Sequence, residues 1–182
     1  MVLYLEIITR FLVAFMDNHS ESCNWLVLCL VNLRRAFILE LDQDYPSCVF
    51  HLQQSVEFLT KALITLLGVE PRKSHDPGEQ LKGILAKKMV HDALSDVLML
   101  SSTLSLEYLN SRYPSDESPW ETYNKGYVNE TKEKVLDVLR NLTSIIRFIA
   151  PQKDINILEC MRRVATDPKL RSIIDEMVRY VK

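Results

Sequence analysis

HLQQSVEFLTKALITLLG, residues 51–68, decides the fold of this chain. Val49, Leu52, Val56, Leu59, Leu63 and Leu66 recur at steps of three and four, which draws one apolar stripe along an α-helix. Phe50, Phe58, Ala62 and Ile64 add apolar surface away from that stripe. A helix so covered must lie between neighbours, so the stretch predicts the central helix of a helical domain or of a dimer. His51, Gln53, Gln54, Glu57 and Lys61 are bunched in its first turns. They either rim a groove or form a solvated edge.

The residues on either side mark the ends of this helix. Pro46 falls in the first turn, where its missing N–H costs nothing, and Gly68 suits a C-cap. Upstream, the pattern predicts a helix over 2–16, a break at 17–22, a second helix over 21–41 and a turn at 43–45. Downstream, Asp76-Pro77-Gly78-Glu79 is a helix start with a cap residue, an early proline and an acid, leading through Lys88. A helix over 90–109 turns Val90, Leu94, Val97, Leu98 and Leu104 inward. Another over 128–149 carries Val135, Val138, Leu142, Ile145 and Ile149 on one stripe. A short helix over 154–165 and a last one over 168–181, capped by Asp167, complete the chain. No strand-like alternation rises above this background, so the fold is predicted to be all-α.

With 182 residues and 47% hydrophobic content, the chain has enough apolar mass for one domain with a proper core. A net charge of −2 removes the electrostatic footprint of a duplex-DNA binder. Arg34–Arg35, Lys87–Lys88 and Arg162–Arg163 are short pairs that read as solvated helix faces. Among the four cysteines there is no CxxC and no ligand-like spacing with the four histidines, so neither a disulfide framework nor a zinc site is expected. Cys23, Cys29 and Cys48 read as buried reduced thiols, which favours a reducing, cytoplasmic compartment. The apolar start of the chain is interrupted by Glu6 and Arg10 and is shorter than the ~20 residues of a membrane span. Leu5, Ile8, Leu12 and Phe15 fit a docking helix instead, and no membrane partner is expected.

The familiar catalytic signatures are missing: there is no GxxxxGK[ST], GxGxxG, HExxH, GxSxG or EF-hand loop. No Glu has His three residues later, which removes the usual di-iron pairing of helical bundles. No metal or cofactor is expected. Residues 110–127 form the longest irregular piece, with Tyr113, Trp120, Tyr123 and Tyr127. Aromatic residues in such a loop either stack on a ligand or, more often, plug a core edge. Arg112 either clamps a phosphate, with Tyr113 stacking on a base, or caps helix carbonyls while Tyr113 fills the core. Glu57 and Lys61, one turn apart, are explained by an intrahelical salt bridge without any ligand. At His75-Asp76, an anion site at the helix start competes with a plain capping role for Asp76.

These landmarks together resemble the HEPN family of small helical domains. The matching residues are HLQQSVEFLTKALITLLG at 51–68, His75-Asp76 with Leu81, SRYP at 111–114, and YNKGYVNETKEKVLDVLRNLTSIIRFI from Tyr123 through Ile149. The resemblance covers residues 21–150 and leaves 1–20 as an accessory helix and 151–182 as a helical extension packed on the bundle. It implies an up-and-down bundle, often a homodimer, that binds a nucleotide or RNA. Family members often stand in toxin–antitoxin pairs beside a minimal nucleotidyltransferase. Its ribonuclease members use an Arg followed after four to six residues by His. All four histidines here precede Arg112, and none stands at that distance after any arginine. Acid–base cleavage of RNA needs a group that titrates near neutrality, so the resemblance implies a binder without ribonuclease activity.

The leading expectation is a nucleotide or RNA-end site built from His51, Gln54 and Lys61 of the central helix with Arg112 and Tyr113 of the loop. Lys61 and Arg112 would meet phosphate, Tyr113 would stack, and Gln54 and His51 would hydrogen-bond. The alternatives are a protein-interaction module for a nucleotidyltransferase, with no small-molecule site, and a metal-independent ribonuclease using Glu57, His75 or His91.

Overall fold

The computed structural model describes residues 2–86, 92–113, 118–150, 158–162, 165 and 167–179. The helices are α1 (Val2–Leu41), α2 (Tyr45–Leu66), α3 (Pro77–Leu85), α4 (Asp92–Ser105), α5 (Glu107–Asn110), α6 (Pro119–Thr122), α7 (Lys125–Arg140), α8 (Leu142–Ile149) and α9 (Pro168–Arg179). Residues 158–162 add a helical turn, and no strand occurs among the described residues. The all-α expectation holds.

The frame of the bundle is an antiparallel hairpin of α1 and α2. Ser22 Oγ donates to the Ala62 carbonyl (3.0 Å), Cys29 Sγ meets Ser55 Oγ (3.2 Å) and Cys48 Sγ donates to the Ala36 carbonyl (3.2 Å). The turn between them is tight. Asp44 N–H bonds Leu39 O and Gln43 N–H bonds Glu40 O, the paired bonds of a Schellman ending, with Gln43 in the left-handed region at φ 61°. The side chain of Asp44 then caps α2 by accepting from Ser47 N–H (3.2 Å). Asp44 therefore ends one helix and begins the next. Gly68, at φ 80°, closes α2 with the same pair of bonds, Val69 N–H to Ile64 O and Gly68 N–H to Thr65 O.

α2 is the centre of the bundle, packed against α1, α3, α4 and α7. All six stripe residues are buried, and Ala62 and Ile64 are buried on the other flank. Burying each leucine contributes on the order of 2 kcal/mol. Leu81 and Leu85 of α3, Leu94, Val97 and Leu104 of α4, and Val135, Val138, Leu142 and Ile145 of α7 and α8 close the core around it. Cys29 and Cys48 are free and buried, and burial pushes both thiols up to about 12.

Several expectations change. The break at 17–22 is absent and α1 is continuous, because that stretch holds weak helix formers but neither glycine nor proline to stop the chain. The helix expected over 128–149 divides at Asn141 into α7 and α8, and that over 90–109 divides at Leu106 into α4 and α5. Val90 and Lys87–Lys88 lie outside the described residues. Cys23 is not a free thiol: it is joined to Cys160 by a disulfide with Cα atoms 6.3 Å apart. This bond staples the C-terminal part of the chain to α1, so cysteine usage no longer argues for a reducing compartment. α9, capped by Asp167 as expected, buries Leu170 and Ile174 and packs on α7 and α8.

By length and composition, the Asn18–Leu41 part of α1 is apolar enough to cross a membrane. Here one side of it lies against α2, while Leu28, Val31, Ile38 and Leu41 are exposed.

Candidate functional site

The first turns of α2 and the chain leaving α5 meet around an open hollow of roughly 500 Å³. Asp44, Phe50 and His51 line it from one side, Ser111 and Arg112 from another, and Trp120 of α6 closes it. The volume falls within the ~300–1,000 Å³ typical of small-molecule sites.

His51 is anchored through the hairpin. Its Nδ1 lies 2.9 Å from Asn32 Oδ1 on α1, and Asn32 spends its own Nδ2 on the Leu28 carbonyl (2.8 Å). The amide oxygen therefore faces the ring, so Nδ1 carries the hydrogen and Nε2 keeps a lone pair. Burial, together with the positive charge of Arg35, holds His51 below the usual histidine range despite Asp44 nearby. His51 thus enters the hollow as a neutral hydrogen-bond acceptor.

Arg112 lies among aromatic rings. Its guanidinium carbon is 4.9 Å from the centre of Phe50, 5.6 Å from Tyr108 and 5.8 Å from Tyr113. No carboxylate among the described residues pairs with it. Tyr113 is 57% exposed, and Trp120 is exposed as well, so neither fills the core. Tyr123 does plug the core edge: its hydroxyl and that of Tyr127 (2.7 Å) both bond the Glu107 carboxylate. Burial and that carboxylate raise both phenols. The stretch expected to be one irregular piece instead carries α6 and the start of α7, and its aromatic residues divide into two plugs and two exposed faces.

Gln53, Gln54, Glu57 and Lys61 of α2 neither rim the hollow nor form a solvated edge. They make an internal network around the buried carboxylate of Glu57. Lys61 Nζ bonds Oε1 at 2.6 Å, while Gln53 Nε2 (3.1 Å), Gln54 Nε2 (3.1 Å) and His75 Nδ1 (3.2 Å) bond Oε2. Burial alone would raise this carboxyl, but the hydrogen bonds from Lys61 and Gln53 and the Lys61 charge outweigh it and hold it low. Lys61 is buried and lies near the rings of Trp25 (5.5 Å) and Phe58 (5.8 Å), which are themselves stacked. His75 stacks on Tyr108 with ring centres 3.6 Å apart. Both Glu57 oxygens are occupied, which leaves this carboxylate poorly placed to take a substrate proton. Asp76 stands at the cap position of α3, but its side chain makes no cap bond, and its Oδ1 is buried without a hydrogen-bond partner among the described residues. The backbone at Asp76 (φ −120°, ψ 77°) accompanies this, so the capping role expected of it is not realised. His91 lies outside the described residues. Among the described residues, no grouping of His, Cys, Asp and Glu is arranged to hold a metal ion.

The family model for the HEPN domain matches residues 28–155, which takes in α2 through α8 and the hollow between them. The chain belongs to the HEPN domain family. No curated protein and no solved structure matches it. Membership points in general to a nucleotide- or RNA-related role.

Within this HEPN domain, the five expected site residues separate into two groups. His51 and Arg112 line one hollow, with Tyr113 against the Arg112 guanidinium. Gln54 and Lys61 belong to the Glu57 network. Asp44 was not anticipated as a lining residue, and Trp120 only as one of four aromatic residues that would either stack on a ligand or plug the core. Asp44 carries a local signal, an acid two residues before Pro46, and Trp120 follows Ser118-Pro119 and precedes Glu121, which form a capping box. Those patterns identify helix starts, but nothing local says that the two starts face each other.

Proposed function

We propose that this HEPN domain binds a nucleotide or the end of an RNA strand in the hollow, without cleaving it. Arg112 meets phosphate in a forked contact, a donor geometry suited to its planar guanidinium. Trp120 and Tyr113 offer exposed rings for a base, where stacking contributes ~1–3 kcal/mol. His51 accepts a hydrogen bond through Nε2. Gln54 and Lys61 act through Glu57, keeping α2 and His75 in register beneath the hollow. The observation that carries this reading is that His51 and Arg112, far apart in the chain, line one hollow flanked by aromatic rings. Isothermal titration with mononucleotides and short single-stranded RNAs tests it. Binding that Arg112→Ala removes supports the reading, and no heat with any of these ligands overturns it.

A second reading concerns assembly. Leu28, Val31, Ile38 and Leu41 are exposed along the outer side of α1, an apolar strip interrupted by the exposed Arg34 and Arg35. Such a strip suits a second copy of the chain or, as the alternative, a nucleotidyltransferase partner. Light scattering of the wild type against Val31→Glu and Ile38→Glu distinguishes these. A dimer that the substitutions dissociate supports self-association, and a monomeric wild type excludes it. A cytoplasmic location accompanies both readings as a proposal.

A further inference from the structure

Resting on the reading of the hollow as a nucleotide site, we infer that it selects guanine among the bases, with the Asp44 carboxylate as the specificity-determining group. Beside the Ser47 hydroxyl, which can donate or accept, the polar lining divides into one cation and two acceptors. Arg112 only donates, and its charge suits a phosphate. His51 has spent Nδ1 on Asn32 and accepts through Nε2. Asp44 accepts one hydrogen bond, from Ser47 N–H to Oδ1, and no cation among the described residues pairs with its carboxylate. Its Oδ2 and the second lone pair of Oδ1 remain for a ligand. Ser111 Oγ is already turned to the Glu107 carbonyl (2.5 Å). A ligand that satisfies this lining carries an anion for Arg112 and donors for Asp44 and His51.

A carboxylate is best matched by two parallel donors, the geometry of a forked pair. Guanine presents two neighbouring donors on one edge, the ring N1–H and the 2-amino group. Adenine and cytosine each set an amino group beside a bare ring nitrogen, whose lone pair would face the second carboxylate oxygen. Uracil offers a single N–H between two carbonyls. A guanidinium or ammonium ligand would suit Asp44 but would be repelled by Arg112 in the same hollow. The exposed face of Trp120 completes the site as a stacking surface for the purine.

The test uses the full chain and the 5′-monophosphates of guanosine, inosine, adenosine, cytidine and uridine. Inosine monophosphate differs from the guanosine compound by the 2-amino group alone. Asp44→Asn and Asp44→Ser both keep a residue that caps α2, so the fold is retained, and an unchanged thermal midpoint checks this. The wild type should bind the guanosine compound roughly tenfold or more tightly than each of the others, as one forked base contact discriminates. Both variants should lose that preference and bind all five alike, since Arg112 still holds the phosphate. Equal binding of all five by the wild type, or a guanosine preference that survives both variants, overturns the inference and leaves the nucleotide reading standing. No binding of any of them overturns both.

Discussion

Lys61 Nζ lies 2.6 Å from Glu57 Oε1, one turn along α2, with side chains only 11% and 4% exposed. A charge pair this deep depends on both members being present, because either alone is an uncompensated ion in the core. Lys61→Met should therefore destabilise the domain by about 3–5 kcal/mol, while Lys61→Met with Glu57→Gln should cost less than the first change alone. Urea denaturation of the set measures the difference. With Glu57→Gln measured alone as well, a double loss equal to the sum of the two single losses would show that the pair is not coupled.

The same carboxylate sets an acid limit. Its folded pKa is held below the unfolded value, so the native state takes up the proton less readily than the unfolded chain. The stability it contributes is present above about pH 4.3 and is lost as pH falls through the lower folded value. In Lys61→Met, Glu57 loses its cation, and acidification from neutral pH should recover part of the stability. Denaturation midpoints between pH 7 and pH 3 should move in opposite directions for the two proteins.

His51 should titrate below the usual ~6.5 when followed by its imidazole proton resonances. Because its folded pKa is depressed, its contribution to stability is present above ~6.5 and declines as pH falls through the folded value. Asn32→Asp places a carboxylate against Nδ1 and should raise the midpoint by about 1 unit or more. A midpoint unmoved by this change would contradict the Asn32 contact.

Gln43 holds a left-handed backbone at the end of α1, a conformation that disfavours a side chain by roughly 1 kcal/mol. Gln43→Gly should stabilise the hairpin by about 0.5–1 kcal/mol, part of the relief being offset by glycine's greater freedom in the unfolded chain. A thermal melt reads this directly.

The Cys23–Cys160 disulfide closes a loop of 137 residues. Cys160→Ser should cost about 2–4 kcal/mol under oxidising conditions and almost nothing when a reductant is present throughout. An equal cost in both conditions would mean that packing around Cys160, not the bond, provides the stability.

Much of the fold was legible because its signals are local. The stripe from Val49 to Leu66, the early proline at Pro46, the left-handed Gly68 and the cap at Asp167 all act within one or two turns, and each took its expected place. Where local signals were weak, the expectation failed: polar residues at 17–22 did not end α1. Of the candidate site, His51 and Arg112 were marked out as candidates in advance, and both line one hollow. The burial of Lys61 and the exposure of Trp120 could not, since either residue type is found in either setting.

By itself, the amino-acid sequence determined an all-helical chain and its central helix, because periodicity and helix ends are written in residues a few positions apart, while its HEPN kinship rests on the family match over residues 28–155. Tertiary structure alone decided that Asp44 and Trp120 share a hollow with Arg112, that four donors converge on Glu57, and that Cys23 reaches Cys160. Those meetings join groups distant along the chain. They depend on how whole helices stack, a property of the packed core that no short stretch of residues encodes.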